Sequence, residues 1–567
     1  MTFAPPDAPL RTLIDDLLAE QQELTAIERF SRKHEHATLP AQARYYRDLI
    51  PIRKPATGEQ YAFGVDLDAC TGCKACVSAC HSLNGLDEEE TWRDVGVIYG
   101  GTVAEPYQQT VTTACHHCAD PGCLSGCPVM AYEKDSATGI VRHLDDQCIG
   151  CEYCMLKCPY DVPKYSKKRG IVRKCDMCYN RLAVDEAPAC VQACPNEAIT
   201  IRIANIEDTR AHAQPGLKLI HGAFESSYTK PTTIYTTKKV MPANAEPGDI
   251  YRLRLEHPHW PLISMLLLSQ ISAGVFVVLG ALVFSAQFER VAAPLAVTGF
   301  IALHAGLMLS VFHLGRPLKA WRFFLGLRTS WMSREILVFG MFAGISAPLA
   351  IGAWWPWIEA QASRVAGEQA ARLLGMGAAA VTAPFPASWQ LVPMLAVATA
   401  GVAVAAIFCS AMIYVDTRRP FWSAANTFPK FCGTTLLLGL GASAAVLSWL
   451  QIAPQLARTL CGAALVANVL YGAWNLMMLR HNLRDPSAPA HRSARTIWKL
   501  LRPQLAIRAV LVVLATVIGI AAVVFADSGR TVCATLLFLL TFGSAIIERY
   551  CFFTASDGPR MPGGIAA

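Results

Sequence analysis

Hydrophobic residues are spread unevenly along this chain. From His259 onward they gather into eight stretches of spanning length, at 259–285, 292–314, 334–357, 390–415, 430–451, 455–478, 505–526 and 530–550. Each approaches the ~20 residues needed to cross the hydrocarbon core of a bilayer. Trp260, Trp331, Trp354, Trp355, Trp357 and Trp422 fall near the ends of these stretches, where aromatic side chains anchor a span at the interface. The pattern predicts an all-α bundle of eight transmembrane helices over 258–554, followed by a tail at 555–567. Before His259 the apolar runs are short. Leu10, Leu13, Ile14, Leu17 and Leu18 recur at helical spacing. Thr25 followed by Glu28 reads as a capping box opening a second short helix. Residues 1–55 are therefore expected to form a helical extension, either packed on its own domain or serving as a docking arm for a partner. Residues 205–257, with Pro215, Pro231, Pro242 and Pro247, read as a polar connector. That leaves 56–204 as a separate domain.

Charge orients the membrane part. The loops at 315–334, 416–430 and 479–504 carry fourteen Lys and Arg, against five in the loops of the opposite face. The positive-inside rule then places the N-terminus, the domain at 56–204 and the C-terminus on the cytoplasmic side of the inner membrane of the cell. The first fifty residues are charged and lack the apolar core of a signal peptide, which agrees with that placement. The net charge of +7 is modest and lies largely in loops between spans, so nucleic acid is not implied. No nucleotide-binding, flavin or haem-attachment signature is expected either. The small-residue run at 439–444 lies inside a span, where such residues let helices approach.

Cysteine changes the picture most. Sixteen of the 21 Cys lie between Cys70 and Cys194, in four groups of four. Cys70, Cys73, Cys76 and Cys80 form the first group, and Cys148, Cys151, Cys154 and Cys158 the third. Both have the C-x2-C-x2-C-x3-C spacing of bacterial ferredoxins. Cys115, Cys118, Cys123 and Cys127 widen one gap, and Cys175, Cys178, Cys190 and Cys194 carry a larger insertion. The last three groups end in Cys-Pro; the first ends in Cys80-His81. Zinc takes four ligands, usually as two separated pairs. Four complete sets, each ending in C-x3-C, point instead to iron–sulfur clusters, so a membrane protein with structural zinc is the lesser reading. The expected fold is multidomain: an α+β double ferredoxin-type domain followed by the eight-helix bundle. His116 and His117 sit inside a complete Cys set and are expected near a cluster or at the surface, not as ligands. Lys164, Lys167, Lys168, Arg169, Arg173 and Lys174 could form a solvated face or tune a cluster. The five Cys in or beside spans read as small apolar residues.

Residues 60–204 resemble the four-cluster electron-transfer subunit of the dimethyl sulfoxide reductase family of molybdoenzymes. Residues 257–554 resemble that family's membrane anchor, through HPHWPL at 257–262, HLGRPLKAW at 313–321, SWMSREI at 330–336, MIYVDTRRPFW at 412–422 and ERYCFF at 548–553. The two subunits, ordinarily separate chains, are fused here. The resemblance implies interleaved ligand sets: Cys70, Cys73 and Cys76 with Cys194; Cys175, Cys178 and Cys190 with Cys80; Cys115, Cys118 and Cys123 with Cys158; and Cys148, Cys151 and Cys154 with Cys127. It also implies a site for menaquinol or ubiquinol formed by His313 and Glu335, which the span pattern puts on the cluster side of the membrane. Oxidation of a quinol releases protons, and imidazole suits their capture near neutral pH. The expected partners are membrane lipid, the quinone pool and a separate molybdopterin-containing catalytic subunit, which would carry out the terminal substrate chemistry. A flow in reverse, from a dehydrogenase or hydrogenase into quinone, stays open. His304 is expected to make a helix-packing hydrogen bond. A surface ion-pair cluster is expected of Asp416, Arg418 and Arg419, and an ion pair of Glu548 and Arg549.

Overall fold

The computed structural model describes residues 12–561 apart from 23–24, 26–27, 29–30, 33–34, 36–42, 375–386, 526 and 559. Helix α1 (Leu13–Gln22) leaves Leu13, Ile14, Leu17 and Leu18 exposed, so its apolar stripe is not packed on the domain that follows. Leu10 lies outside the described residues. Thr25 and Glu28 make the reciprocal bonds of a capping box, with Thr25 N donating to Glu28 Oε2 at 2.7 Å and Glu28 N to Thr25 Oγ1 at 3.2 Å.

The cysteine domain is α+β. Strand β1 (Glu59–Asp66) opens it, and helix α2 (Ala75–Asn84) follows. Strands β2 (Asp94–Gly101) and β3 (Pro106–Thr113) pair antiparallel. Helix α3 (Gly122–Gly126), the hairpin β4 (Tyr132–Lys134) and β5 (Val141–His143), and helix α4 (Tyr153–Lys157) carry the middle of the domain. The hairpin β6 (Lys164–Ser166) and β7 (Ile171–Arg173) and helices α5 (Tyr179–Leu182) and α6 (Ala189–Gln192) lead into β8 (Ile199–Asn205), which pairs antiparallel with β1.

The segment after residue 205 does more than connect. After helix α7 (Ile206–His212), β9 (Ile234–Thr236) adds to β1 in parallel and β10 (Glu246–Pro247) adds to β2. Thr232, buried, donates to His116 O at 2.7 Å. The segment therefore completes both three-stranded sheets of the cysteine domain before it reaches the membrane.

Eight helices among the described residues are long and apolar enough to cross a membrane. They lie in α8 (Trp260–Ala281), α9 (Phe288–Val311), α10 (Trp331–Leu374), α11 (Ala387–Val415), α12 (Ala424–Trp449), α13 (Pro454–Arg484), α15 (Arg502–Val524) and α16 (Asp527–Thr554); the short α14 (His491–Lys499) lies between α13 and α15. Helices α8 and α12 cross closely because glycine faces glycine: a Cβ on Gly274 would lie 2.7 Å from Gly439 Cα. The run at 439–444 thus serves helix packing. One aromatic departs from the interfacial expectation. Trp422 is 1% exposed, and its Nε1 donates to Phe552 O at 3.0 Å. It is a packing residue, because the 420–422 turn folds inward against α16.

Candidate functional site

The four cysteine groups share one backbone device. The residue before the second Cys is left-handed in each: Gly72 (φ 77°), His117 (φ 40°), Gly150 (φ 69°) and Met177 (φ 59°). That conformation reverses the chain inside C-x2-C and is uncommon outside glycine. The third Cys of every group then falls on the second residue of a short helix: Cys76 in α2, Cys123 in α3, Cys154 in α4 and Cys190 in α6. Proline after the fourth Cys stops the helix in three groups, since it cannot donate to the helical ladder. With His81 in that place, α2 runs on to Asn84 and is capped by Gly85.

This arrangement brings together the interleaved sets. One small cavity is lined by Cys70, Cys73, Cys76 and Cys194, and another by Cys115, Cys118, Cys123 and Cys158. Cys151 and Cys154 both face Cys148 and Cys127, and Cys80 faces Cys178 and Cys190. Among the described residues no three such side chains converge as ligands of a single ion. The thiols surround a space instead, which suits a multi-iron cluster better than zinc. Backbone amides point at several sulfurs: Ala131 N to Cys127 Sγ at 3.2 Å, Ala198 N to Cys194 Sγ at 3.3 Å and Gly150 N to Cys148 Sγ at 3.4 Å. Such donors stabilise negative charge on a cluster.

Two buried cations lie among the sets. Lys174 Nζ donates to Val141 O and to Cys175 O, and sits 3.7 Å from Cys115 Sγ, so it bridges two ligand sets. Arg93 donates to Thr112 Oγ1 at 3.2 Å, and that hydroxyl is 3.6 Å from Cys76 Sγ. The basic run therefore divides. Lys167, Lys168 and Arg169 are solvated, whereas Arg173 and Lys174 are interior. His116 and His117 are buried, not at the surface. Burial pushes the His116 imidazole down to about 3, and its Nδ1 pairs with Thr233 Oγ1 at 2.8 Å.

The third cysteine group is stitched to the membrane bundle. Arg316 N donates to Ile149 O at 3.0 Å, and His313 Nε2 lies 3.3 Å from Cys151 O. Gly150, Gly170 and Gly315 meet backbone to backbone, and a Cβ on Gly315 would run into Gly170 O. Tyr153, fully buried, donates to Ile413 O at 3.1 Å. Lys157 pairs with Asp416 at 2.6 Å. Arg418 stacks 4.8 Å from the Tyr228 ring centroid, and Arg419 is buried against the carbonyls of Met155 and Leu156. Asp416, Arg418 and Arg419 do not form a surface ion-pair cluster; they are the seam between domain and bundle, because each finds its partner across it.

Behind this seam lies a cavity of about 150 Å³. His313 and Glu335 both line it, next to Cys151 and Glu152. Glu335 is buried and makes no ion pair among the described residues; Arg334 donates instead to Leu327 O and Arg328 O, and Arg316 to Asp145 O. His257 and His259 also line the cavity. The His259 and His313 ring centroids are 5.3 Å apart. Burial drives the His259 imidazole down to about 3, with His313 and His257 adding to the effect, and burial holds His313 below its ordinary range. Burial alone raises Glu152 to about 7. Sequence reasoning assigned no role to His257, His259 or Glu152; two histidines set directly before an apolar run were the available signal. Among the described residues His304 bonds within its own helix, to Phe300 O at 2.9 Å.

Fold and site together define an iron–sulfur electron-transfer protein joined to a multi-span membrane anchor. Residues 107–203 match the family described as 4Fe-4S dicluster domain, and residues 255–353 match the DMSO reductase anchor subunit. Over 150 residues the protein is 39% identical to the B subunit of the anaerobic dimethyl sulfoxide reductase of Haemophilus influenzae, covering 25% of its own length and 73% of that subunit. It is 35% identical over 193 residues to the hydrogenase-2 operon protein HybA of Escherichia coli O157:H7, covering 30% and 58% of the two proteins. The formate dehydrogenase-O iron-sulfur subunit of Escherichia coli K12 is 35% identical over 158 residues, covering 25% and 52%. This protein belongs to the family of the dimethyl sulfoxide reductase iron–sulfur subunits, fused to an anchor of the same system.

Proposed function

We propose that the chain oxidises quinol in the cavity of His313 and Glu335 and passes the electrons through four [4Fe-4S] clusters to a separate molybdopterin-containing reductase subunit. The observation that carries this reading is the seam: the cavity of the two candidate proton acceptors is walled by Cys151 itself. The clusters, when bound, supply one-electron relay sites. The protein supplies the rest. Cys148, Cys151, Cys154 and Cys127 would hold the relay nearest the membrane, and Cys115, Cys118, Cys123 and Cys158 the next. Lys174 bridges from there to Cys175, Cys178, Cys190 and Cys80, and Cys70, Cys73, Cys76 and Cys194 complete the path.

A quinol gives up two electrons and two protons. One hydroxyl proton goes to the neutral His313 imidazole and the other to the Glu335 carboxylate, while the electrons leave singly past Cys151. His257 and His259 offer a route for protons towards the surface of the cluster domain. The excess of Lys and Arg in the loops of the domain side supports a cytoplasmic placement of that domain on the inner membrane. Residues 1–55 are proposed as a separate arm, 56–257 as the cluster domain and 258–554 as the anchor.

His313→Gln should slow quinol-driven cluster reduction by about 10²–10⁴-fold, the usual loss for a missing general base, while dithionite still bleaches the clusters fully. Unchanged quinol kinetics would remove His313 from the mechanism. A second reading runs the same parts towards quinone. The likeness to the hydrogenase-2 operon and formate dehydrogenase-O proteins favours it. Cluster midpoint potentials above that of the membrane quinone support the first reading, and potentials well below it the second.

A further inference from the structure

A second membrane cavity, of about 300 Å³, opens between α12, α13, α15 and α16, with α14 at its mouth. Its charges do not balance. Lys430 and Arg549 take both oxygens of the Glu548 carboxylate, at 2.6 and 3.2 Å. Arg508 also faces the cavity, and among the described residues it forms no ion pair; its Nε is buried without a hydrogen-bond partner. Three cations therefore surround one carboxylate.

Lys430, Arg508 and Glu548 each lie six residues in from the end of their helix on the cluster-domain side, about 9 Å at 1.5 Å per residue. At that depth an uncompensated charge is costly unless a counter-ion reaches it. The same cavity is apolar towards the lipid: Leu476 and Val513 line it and are 47% and 61% exposed. At its mouth α14 and its flanks carry Arg495, Lys499 and Arg502. A cationic floor, an apolar wall facing the bilayer and a basic rim match an amphiphile with an anionic head.

We propose that this cavity is a binding site for an anionic phospholipid, its phosphate against Arg508 and Lys430 and an acyl chain along Leu476 and Val513. The site is lined by residues other than those of the His313 cavity and does not depend on the proposed electron path.

The test compares wild type, Arg508→Gln, Val513→Trp and Arg458→Gln, each purified in mild detergent with iron content as the check on folding. Arg458 serves as a charge control, because its Nε bonds Val523 O at the opposite end of the bundle. Phosphorus, fatty acid and quinone are then measured per polypeptide by extraction and mass spectrometry. The expected result is one anionic phospholipid retained by wild type and by Arg458→Gln. Arg508→Gln and Val513→Trp should each lower it by about tenfold, the first through lost charge and the second through a blocked groove. If Arg508→Gln does not fold, Val513→Trp alone decides. Equal lipid in all four proteins overturns the proposal. So does phosphorus without fatty acid, which means a free phosphate, or stoichiometric quinone in place of lipid.

Discussion

The cluster domain and the membrane bundle solve the folding problem by opposite means. In the cluster domain much of the interior is cysteine sulfur held on tight reversals, with left-handed residues at Gly72, His117, Gly150 and Met177 setting the direction of the thiols. The strands are short and the helices that carry the third cysteines mostly span a single turn. The bundle instead relies on long apolar helices in close contact, as where Gly274 meets Gly439. On this contrast the stability of the first region should reside in metal–ligand bonds, and that of the second in packing and backbone satisfaction.

Withdrawing iron should break this comparison most sharply. Expression under iron chelation should leave residues 56–257 open to limited proteolysis while 260–554 stays protected in detergent. A protected cluster domain without iron would mean that the packing of β1, β8 and β9 suffices. On the proposed reading of four clusters, Cys118→Ser should separately remove one of them, about a quarter of the iron per polypeptide, read by iron analysis and spin quantitation.

A smaller effect is expected at the seam, where the two modes of construction meet. Gly315→Val would force its Cβ branch into the backbone of Gly170, at a cost of about 1–3 kcal/mol. Quinol-driven reduction should fall while iron content holds, because His313 loses its place beside Cys151. Within the cluster domain, Lys174→Met removes a buried positive charge 3.7 Å from Cys115 Sγ. The cluster of that set should shift to a lower midpoint potential in a redox titration followed by electron paramagnetic resonance, because reduction adds negative charge that the lysine no longer offsets. The smallest change belongs to the bundle. Trp422→Phe removes one hydrogen bond to Phe552 O, worth about 0.5–1.5 kcal/mol, and should lower the thermal midpoint in detergent without altering iron content.

The cysteine spacing and the apolar periodicity together made the architecture legible from the chain alone: four groups of four thiols, then eight spans. Both are local signals. A C-x2-C loop is specified by neighbours within a few residues, and a span by some twenty consecutive apolar positions. His313 and Glu335 were legible through the resemblance of their motifs, but their meeting in one cavity was not. Lys157 and Asp416 are 259 positions apart, and no periodicity in either segment announces that α4 docks beneath α11. The same holds for Trp422, which spacing placed at an interface and tertiary packing turned inward, and for Arg508, which forms no ion pair among the described residues because of the helices that surround it. Residue order alone was enough to specify the chemistry available and the segments that carry it. Which ligand sets close around each cluster, which histidines share a cavity and which charges are left unbalanced were decided only when distant elements packed, because those properties belong to surfaces in contact and not to neighbours along the chain.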